Sequence, residues 1–297
     1  TVVLEDTVRF VGPRVAAVRD GQYVDLNDAD GSLPSCPKAL LGLGRSAIAK
    51  AEQAAASGTA IDPASVKLLA PVPEPQKVIC VGLNYADHAR ESGAQPPPEP
   101  VLFCKFASAV CAHEDEVVLP PQSDQVDYEA ELVVVIGTGG HNIPRAQALD
   151  HVGGYCPGHD VSARDWQLGK PGGQWLMGKT FDTFAPFGPH LVTADEIPDP
   201  HNLAISLRLN GETMQNSRTD QFIFKIDELI EYISSVCTLK PGDIIFTGTP
   251  GGVGMARKPP VFLKPGDVAE GEIENLGVLK NSFGATKPAR SALARFA

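Results

Sequence analysis

Apolar runs in this chain are short, and most are closed by glycine, proline or asparagine. That punctuation predicts strands and turns more often than helices. Residues 14–26, "RVAAVRDGQYVDL", alternate apolar and polar positions around Asp20-Gly21, which predicts a hairpin. An alanine-rich stretch from about Ser46 to Ser57 predicts a helix that stops at Gly58. The proline-rich "LLAPVPEPQK" that follows reads as a linker or an extended crossing strand, and so as the boundary between two domains, 1–72 and 73–297. Further along, Asn210-Gly211 in "LRLNGETMQ" predicts a two-residue hairpin. Ile226, Leu229, Ile230 and Ile233 fall at helical spacing, and "PRAQALDHV" predicts a shorter helix with Pro144 at its start. "LKPGD" occurs at 239–243 and at 263–267, but nothing else recurs at that interval, so Pro-Gly turn chemistry explains it better than a repeat. Many strands, few helices and no regular βαβ alternation predict an α+β fold.

One stretch combines two patterns. "VDYEAELVVVIG", residues 126–137, puts Glu129 and Glu131 directly before the aliphatic run Leu132, Val133, Val134, Val135 and Ile136. On a strand, residues two apart leave the same face, so the two carboxylates are neighbours. They repel, and burying either costs several kcal/mol unless a positive charge stands between them. Either that face is solvated or a cation belongs there. Asp160, just after the expected strand "GGYCP", offers a third carboxylate from a neighbouring strand. Three carboxylates suit a hard divalent cation and leave about three of six octahedral positions for water or substrate. No cysteine or histidine cluster has zinc spacing. Taken alone, Glu-x-Glu on a strand is more often a solvated edge.

Composition narrows the field. The chain has 297 residues, 43% hydrophobic and 21% charged, with a net charge of −11, as expected of an ordinary soluble globular protein. The negative charge argues against nucleic acid or an anionic membrane as partner. No apolar stretch approaches bilayer length and no signal segment opens the sequence, although Thr1 in place of Met leaves a processed terminus open. Six scattered cysteines are expected to be reduced thiols. A mitochondrial matrix location and a cytoplasmic one fit equally.

The blocks "VGLNYADHARE", "EPVLFCKFASAV", "VDYEAELVVVIG", "HDVSARDWQ", "QWLMGKTFDTFAPFGP", "DPHNL", "LNGE" and "PGDIIFTGTPGGVG" occur in this order between about Lys77 and Lys280. Together they resemble the fumarylacetoacetate hydrolase family. The resemblance implies a β-rich catalytic domain, with mixed sheets in a roll or sandwich, preceded by a small N-terminal α/β domain and assembled as a homodimer. It implies Mg²⁺, with Mn²⁺ or Ca²⁺ as alternatives, held by Glu129, Glu131 and Asp160. It also implies a 2-oxo dicarboxylic or β-diketo acid substrate, which chelates the cation through its carboxylate and keto oxygen. The cation then acts as a Lewis acid toward the developing enolate.

Further roles follow from the same resemblance. Arg164 is expected to clamp a substrate carboxylate, with Gln167 as a neutral partner. Lys179 in "MGKTF" is expected to neutralise an enolate oxygen or a substrate carboxylate. Lys105, Gly248 and Thr249 are expected to bind substrate, the last two from a glycine-rich loop that is not a Walker loop because no Lys-Ser or Lys-Thr follows it. In "NYADHARESG", Asn84 is a candidate helix cap, and His88 and Glu91 lie at i, i+3 as a base and its orienting carboxylate on a lid. Three reactions share the enolate. Oxaloacetate keto–enol tautomerisation stands first; C–C hydrolysis of an acylpyruvate or fumarylacetoacetate-like compound and decarboxylation of oxaloacetate are alternatives. A non-catalytic binding protein on the same scaffold is the reading from a different class, and loss of a metal carboxylate or of the His–Glu pair would favour it. Neither is lost.

Overall fold

The computed structural model describes residues 2–4 and 13–285. The outer ends of the two expected domains, including 286–297, lie outside the described residues. The α+β expectation holds. A six-stranded sheet runs in the order Val192–Thr193, Val152–His159, Ala130–Ile136, Ile244–Phe246, Val78–Gly82, Val101–Lys105. All neighbours are antiparallel except Ile244–Phe246 with Val78–Gly82. A five-stranded sheet, Glu212–Arg218, Ala204–Leu209, Val268–Ile273, Gly277–Gly284, Val117–Val118, packs against it.

The strand Ala130–Ile136 explains the uninterrupted aliphatic run, because every residue in it is buried. Leu132, Val134 and Ile136 pack with Ile205, Leu207, Ile273 and Phe283 of the second sheet. Val133 and Val135 face the other way, onto Val72, Phe187, Ile244 and Phe246. A strand covered on both faces loses the polar alternation that a half-exposed strand keeps. Glu129 and Glu131 share parity with Val133 and Val135, so the carboxylates continue a buried face.

The N-terminal part holds the expected hairpin, Ala16–Arg19 with Gln22–Asp25, turned by Asp20 and Gly21 at φ 51° and 74°. The alanine-rich helix spans Arg45–Ser57 with Gly58 at its C-cap. Leu41 and the proline-rich crossing residues Ala70 and Val72 are buried in the same cluster as the central sheet, so the crossing segment is packed rather than free. The Asn210-Gly211 hairpin and the helix Ile226–Val236, burying Ile226, Leu229, Ile230 and Ile233, form as expected. The shorter helix does not: Arg145–His151 is 3₁₀. Its Ala148 is its one buried residue, too little apolar face to hold an α-helix against the core.

Candidate active site

Strand register assembles the carboxylates. Ala130 stands opposite His159 and Glu131 opposite Gly158, and one rung further on the Asp160 N–H donates to the Glu129 carbonyl at 2.9 Å. Asp160 therefore faces the Glu-x-Glu pair across the end of the antiparallel ladder. Glu129, Glu131 and Asp160 each bring one oxygen to within 4.8 Å of the others, and all three are buried. The face is not solvated.

Three cations partly balance it. Lys179 Nζ lies 2.9 Å from Glu129 and 2.8 Å from Asp160. Lys105 Nζ lies 2.6 Å from the other oxygen of Asp160 and donates to the carbonyls of Val161 and Phe184 at 3.0 and 2.6 Å. Arg164 places Nη2 2.7 Å from Glu129, Nε 2.9 Å from Asp127 and Nη1 2.9 Å from Gln167. Burial pushes Glu129 up, but the Lys179 and Arg164 charges outweigh it and hold its carboxyl down at about 2. Burial also pushes Lys179 down, and the Asp160 and Glu129 charges reverse that to about 12. Glu131 goes the other way. Burial, then the Asp160 and Glu129 charges, push it well above the usual carboxylate range. Its direct contact is with the N–H of Gly248, at 2.8 Å. Four buried carboxylates, Asp127 included, thus stand against three buried cations. A one-charge deficit beside three convergent oxygens, with the carboxylate nearest to neutral among them, fits a hard divalent cation.

Their partners separate the two lysines. Lys105 donates to the carbonyls of Val161 and Phe184 and meets Asp160 as an ion pair at 2.6 Å, without an aligned hydrogen bond to that oxygen. Of its three N–H groups, Lys179 spends two, on Glu129 and Asp160, and has one left beside the Phe103 ring, 5.0 Å from its centroid. Lys179 is bound only to the triad's own carboxylates and stands ready for a substrate oxygen, while Lys105 is anchored on two backbone carbonyls. Arg164 is hydrogen-bonded through Nε to Asp127 and stands 2.7 Å from Glu129 through Nη2 as an ion pair, an Nη2 that has no aligned hydrogen bond of its own, so it braces the carboxylate cluster. Gln167 gives its carbonyl oxygen to that same guanidinium. Thr249 donates to the Ala130 carbonyl at 2.9 Å and accepts from Gln215 at 2.8 Å. Gly248 has φ 98°, and a Cβ there would stand 2.7 Å from that of Asn84, so only glycine aims this N–H at Glu131.

The helix carrying His88 spans Ala86–Ser92, ending at Gly93 with φ 66°. His88 Nδ1 is 3.2 Å from a carboxylate oxygen of Glu91. Glu91 also accepts the Gly252 N–H, at 2.9 and 3.0 Å to its two oxygens, while Asp87 bonds the Ser217 hydroxyl. Burial raises Glu91, but the bonds from His88 and Gly252 outweigh it and leave it below the usual range. Asn84 is not the cap. Tyr85 occupies that position without a side-chain bond, and the Asn84 amide instead donates to the carbonyls of Phe224 and Thr247, at 3.0 and 2.8 Å, and accepts the Phe224 N–H at 2.8 Å. With both ends of its amide engaged there, the Asn84 side chain is not spent on the helix's free N–H groups.

The family model for the C-terminal part of fumarylacetoacetate (FAA) hydrolase matches residues 77–283, which contain every residue of this site. The chain belongs to the fumarylacetoacetate hydrolase family. It is 53% identical over 282 residues to the bovine "Oxaloacetate tautomerase FAHD2A, mitochondrial", covering 92% of this chain and 90% of that one. Among solved structures, it matches fumarylacetoacetate hydrolase from Exiguobacterium antarcticum with a TM-score of 0.83 and 34% identity, over 95% and 98% of the two chains. It also matches fumarylpyruvate hydrolase from Pseudomonas aeruginosa in complex with Mn²⁺ and pyruvate, with a TM-score of 0.64 and 41% identity, over 71% and 91%.

Two members of this family site were not among the expected residues. Gln215 accepts the Ala130 N–H at 2.8 Å and donates to Thr249 and to the Pro250 carbonyl, tying the Glu-x-Glu strand to the glycine-rich loop from a separate sheet. No local pattern announces it, because it acts across 85 residues. Asp127 did have a signal. It lies two residues before Glu129, at the same strand parity as the glutamates.

Proposed function

We propose that this family member is a divalent-metal-dependent oxaloacetate keto–enol tautomerase. The observation that carries the reading is the buried Glu129/Glu131/Asp160 triad, one positive charge short, beside a lysine with a free N–H. The likeness to the bovine tautomerase over nine-tenths of the chain supports the choice of substrate. Glu129, Glu131 and Asp160 would hold the metal, which we take to be Mg²⁺, with Mn²⁺ or Ca²⁺ as alternatives because all three donors are oxygen. Bound there, it supplies a Lewis acid for the carboxylate and keto oxygens of a 2-oxo acid. A divalent charge turns the one-charge deficit into an excess of one, so the site attracts an anion.

The chain's own groups then move the proton. Glu91 holds His88 through Nδ1, which sets that nitrogen as the donor and leaves the Nε2 lone pair as the base. His88 Nε2 takes a proton from C3 of oxaloacetate and returns it to the former keto oxygen, so the C3–H bond is exchanged for O–H and nothing is released. The third N–H of Lys179 meets the oxygen on which charge develops. The helix docked on the 251–252 backbone excludes water from this exchange.

The decisive measurement is decay of enol-oxaloacetate absorbance with Mg²⁺, with pyruvate and released acid assayed in parallel. Wild type should speed the decay, chelation should remove the effect, and His88→Ala should lose it while metal-assisted decarboxylation partly survives. Rapid acylpyruvate cleavage with no tautomerase activity would move the assignment to the hydrolase reading, for which the same His–Glu pair would activate water. We further infer a homodimer and a mitochondrial location, supported by the family resemblance and by the relatives' names. No helix among the described residues is long and apolar enough to cross a membrane.

A further inference from the structure

Asp127 lies outside the metal triad, yet it is completely buried, and its carboxylate is saturated. One oxygen accepts the Gly254 N–H at 2.7 Å and the Tyr128 N–H at 2.8 Å. The other accepts Arg164 Nε at 2.9 Å and the Met255 N–H at 3.0 Å. It stands on the two-residue strand Val126–Asp127, paired with Ser162–Ala163. Those two short strands flank both ligand segments, with Glu129 following one and Asp160 preceding the other. The approach of the loop to Asp127 is close enough to demand glycine: a Cβ at Gly254 would meet the Val261 carbonyl at 1.9 Å and the carboxylate of Asp127 at 2.5 Å.

A buried carboxylate with four donors on it and no role as ligand or base needs a reason to be charged, since a neutral side chain there would avoid the desolvation cost. Arg164 supplies the reason. Its planar guanidinium is shared, hydrogen-bonded through Nε to Asp127 and ion-paired through Nη2 with Glu129 at 2.7 Å, so where the charge stands relative to Glu129 is set by Asp127. Without Asp127 the guanidinium charge belongs to Glu129 alone, and Glu129 becomes a weaker ligand held in a different orientation.

We propose that Asp127 is a positioning residue for the metal centre, acting through Arg164 to keep Glu129 available to a cation and anchoring the Gly254–Met255 backbone beside it. The proposal rests on the metal-centre reading above, and the test separates the two. Mn²⁺ is titrated into the full chain, free ion is followed by electron paramagnetic resonance, and the bound-ion spectrum is recorded, with no substrate present. Absence of wild-type binding overturns the metal reading itself. With wild-type binding in hand, Asp127→Asn is expected to raise the Mn²⁺ Kd at least tenfold and to change the bound-ion spectrum. In an Arg164→Gln background the same substitution should have an effect at least threefold smaller, because its route is gone. Equal losses in both backgrounds, or a wild-type Kd and spectrum in Asp127→Asn, overturn the proposal. If Asp127→Asn does not fold, Arg164→Lys keeps the test: one ammonium cannot hold both carboxylates in the fork's geometry, so Mn²⁺ binding must weaken and the spectrum must change. A Kd and spectrum unchanged from wild type there overturn the shared-fork argument equally.

Discussion

Loading the site with metal should expel a proton. The buried cluster carries four carboxylates, Asp127, Glu129, Glu131 and Asp160, against Lys105, Arg164 and Lys179. A single proton would neutralise the difference, and Glu131 is the carboxyl that burial and the Asp160 and Glu129 charges raise well above the ordinary 4.5. A metal ligand must be deprotonated, so we predict release of about one proton per Mg²⁺ or Mn²⁺ bound and an affinity that rises about tenfold per pH unit in this window. The window opens at the ordinary glutamate value and closes at Glu131's raised one. The stability sign follows. A folded-state pKa raised above the unfolded value stabilises the metal-free chain most below the unfolded value, and that contribution is lost as pH climbs through the folded one. The gain in Tm on adding metal should therefore grow with pH across the same window. Calorimetric titration of Mn²⁺ at about pH 5.5, one unit above the ordinary carboxyl value, in two buffers of different ionisation enthalpy, counts the protons directly. Identical heats in the two buffers, with affinity flat over that range, would sink the charge count.

Three other predictions test individual groups. Asp160→Asn should abolish metal-dependent turnover while the metal-free chain stays folded, because removing one charge relieves repulsion on Glu131; wild-type turnover, or loss of the native circular-dichroism spectrum, contradicts this. The two lysines should differ in kind: Lys179→Met is expected to cut kcat by a hundredfold or more with Mn²⁺ binding kept, on the order expected for a lost charge-stabilising donor. Both lysines hold buried carboxylates, so both variants should lose stability. Lys105→Met, which also frees two carbonyls, should cost about 3–5 kcal/mol in denaturant unfolding with the smaller loss of kcat; an equal kcat loss in the two variants would refute this separation of roles. Gly248→Ala forces a side chain into φ 98° against Asn84 and should destabilise by about 1–3 kcal/mol while weakening Mn²⁺ binding through Glu131, and unchanged binding would detach that N–H from the metal site.

The parts of the fold legible in the sequence were those written locally. Asn-Gly and Asp-Gly turns, the period of Ile226 to Ile233 and the Glu-x-Glu parity each depend on neighbours a few residues away. The metal role of the triad was named only through the resemblance of the ordered blocks to a family, since the pairing that brings Asp160 opposite Glu129 is not written locally. What each cation bonds to was not legible. Arg164, Lys105 and Lys179 are interchangeable as sequence symbols, and only their contacts show that one braces, one is anchored on backbone carbonyls and one bonds the triad's carboxylates alone. Asn84 failed for the same reason: the pattern before the helix suited a cap, but its partners Phe224 and Thr247 are more than a hundred residues away. The 3₁₀ turn at Arg145–His151 was misread because its proline start and apolar spacing imitate a helix, while too little of it is buried to lengthen one.

The root of the His88 helix has a thermodynamic consequence. Asn84 grips Thr247, and the next residue, Gly248, gives its N–H to Glu131. Glu91, at the far end of the helix, grips Gly252 in the same loop. Displacing the helix therefore strains the backbone that holds a metal ligand, so the two events share one free energy. Linkage is reciprocal: whatever factor a bound cation adds to the closed population, closing adds to cation affinity. On the proposed metal and lid roles, the helix acts on the metal centre as well as covering it, so a substitution on its outer surface that loosens docking should be felt as a weaker hold on the ion at a site it never touches.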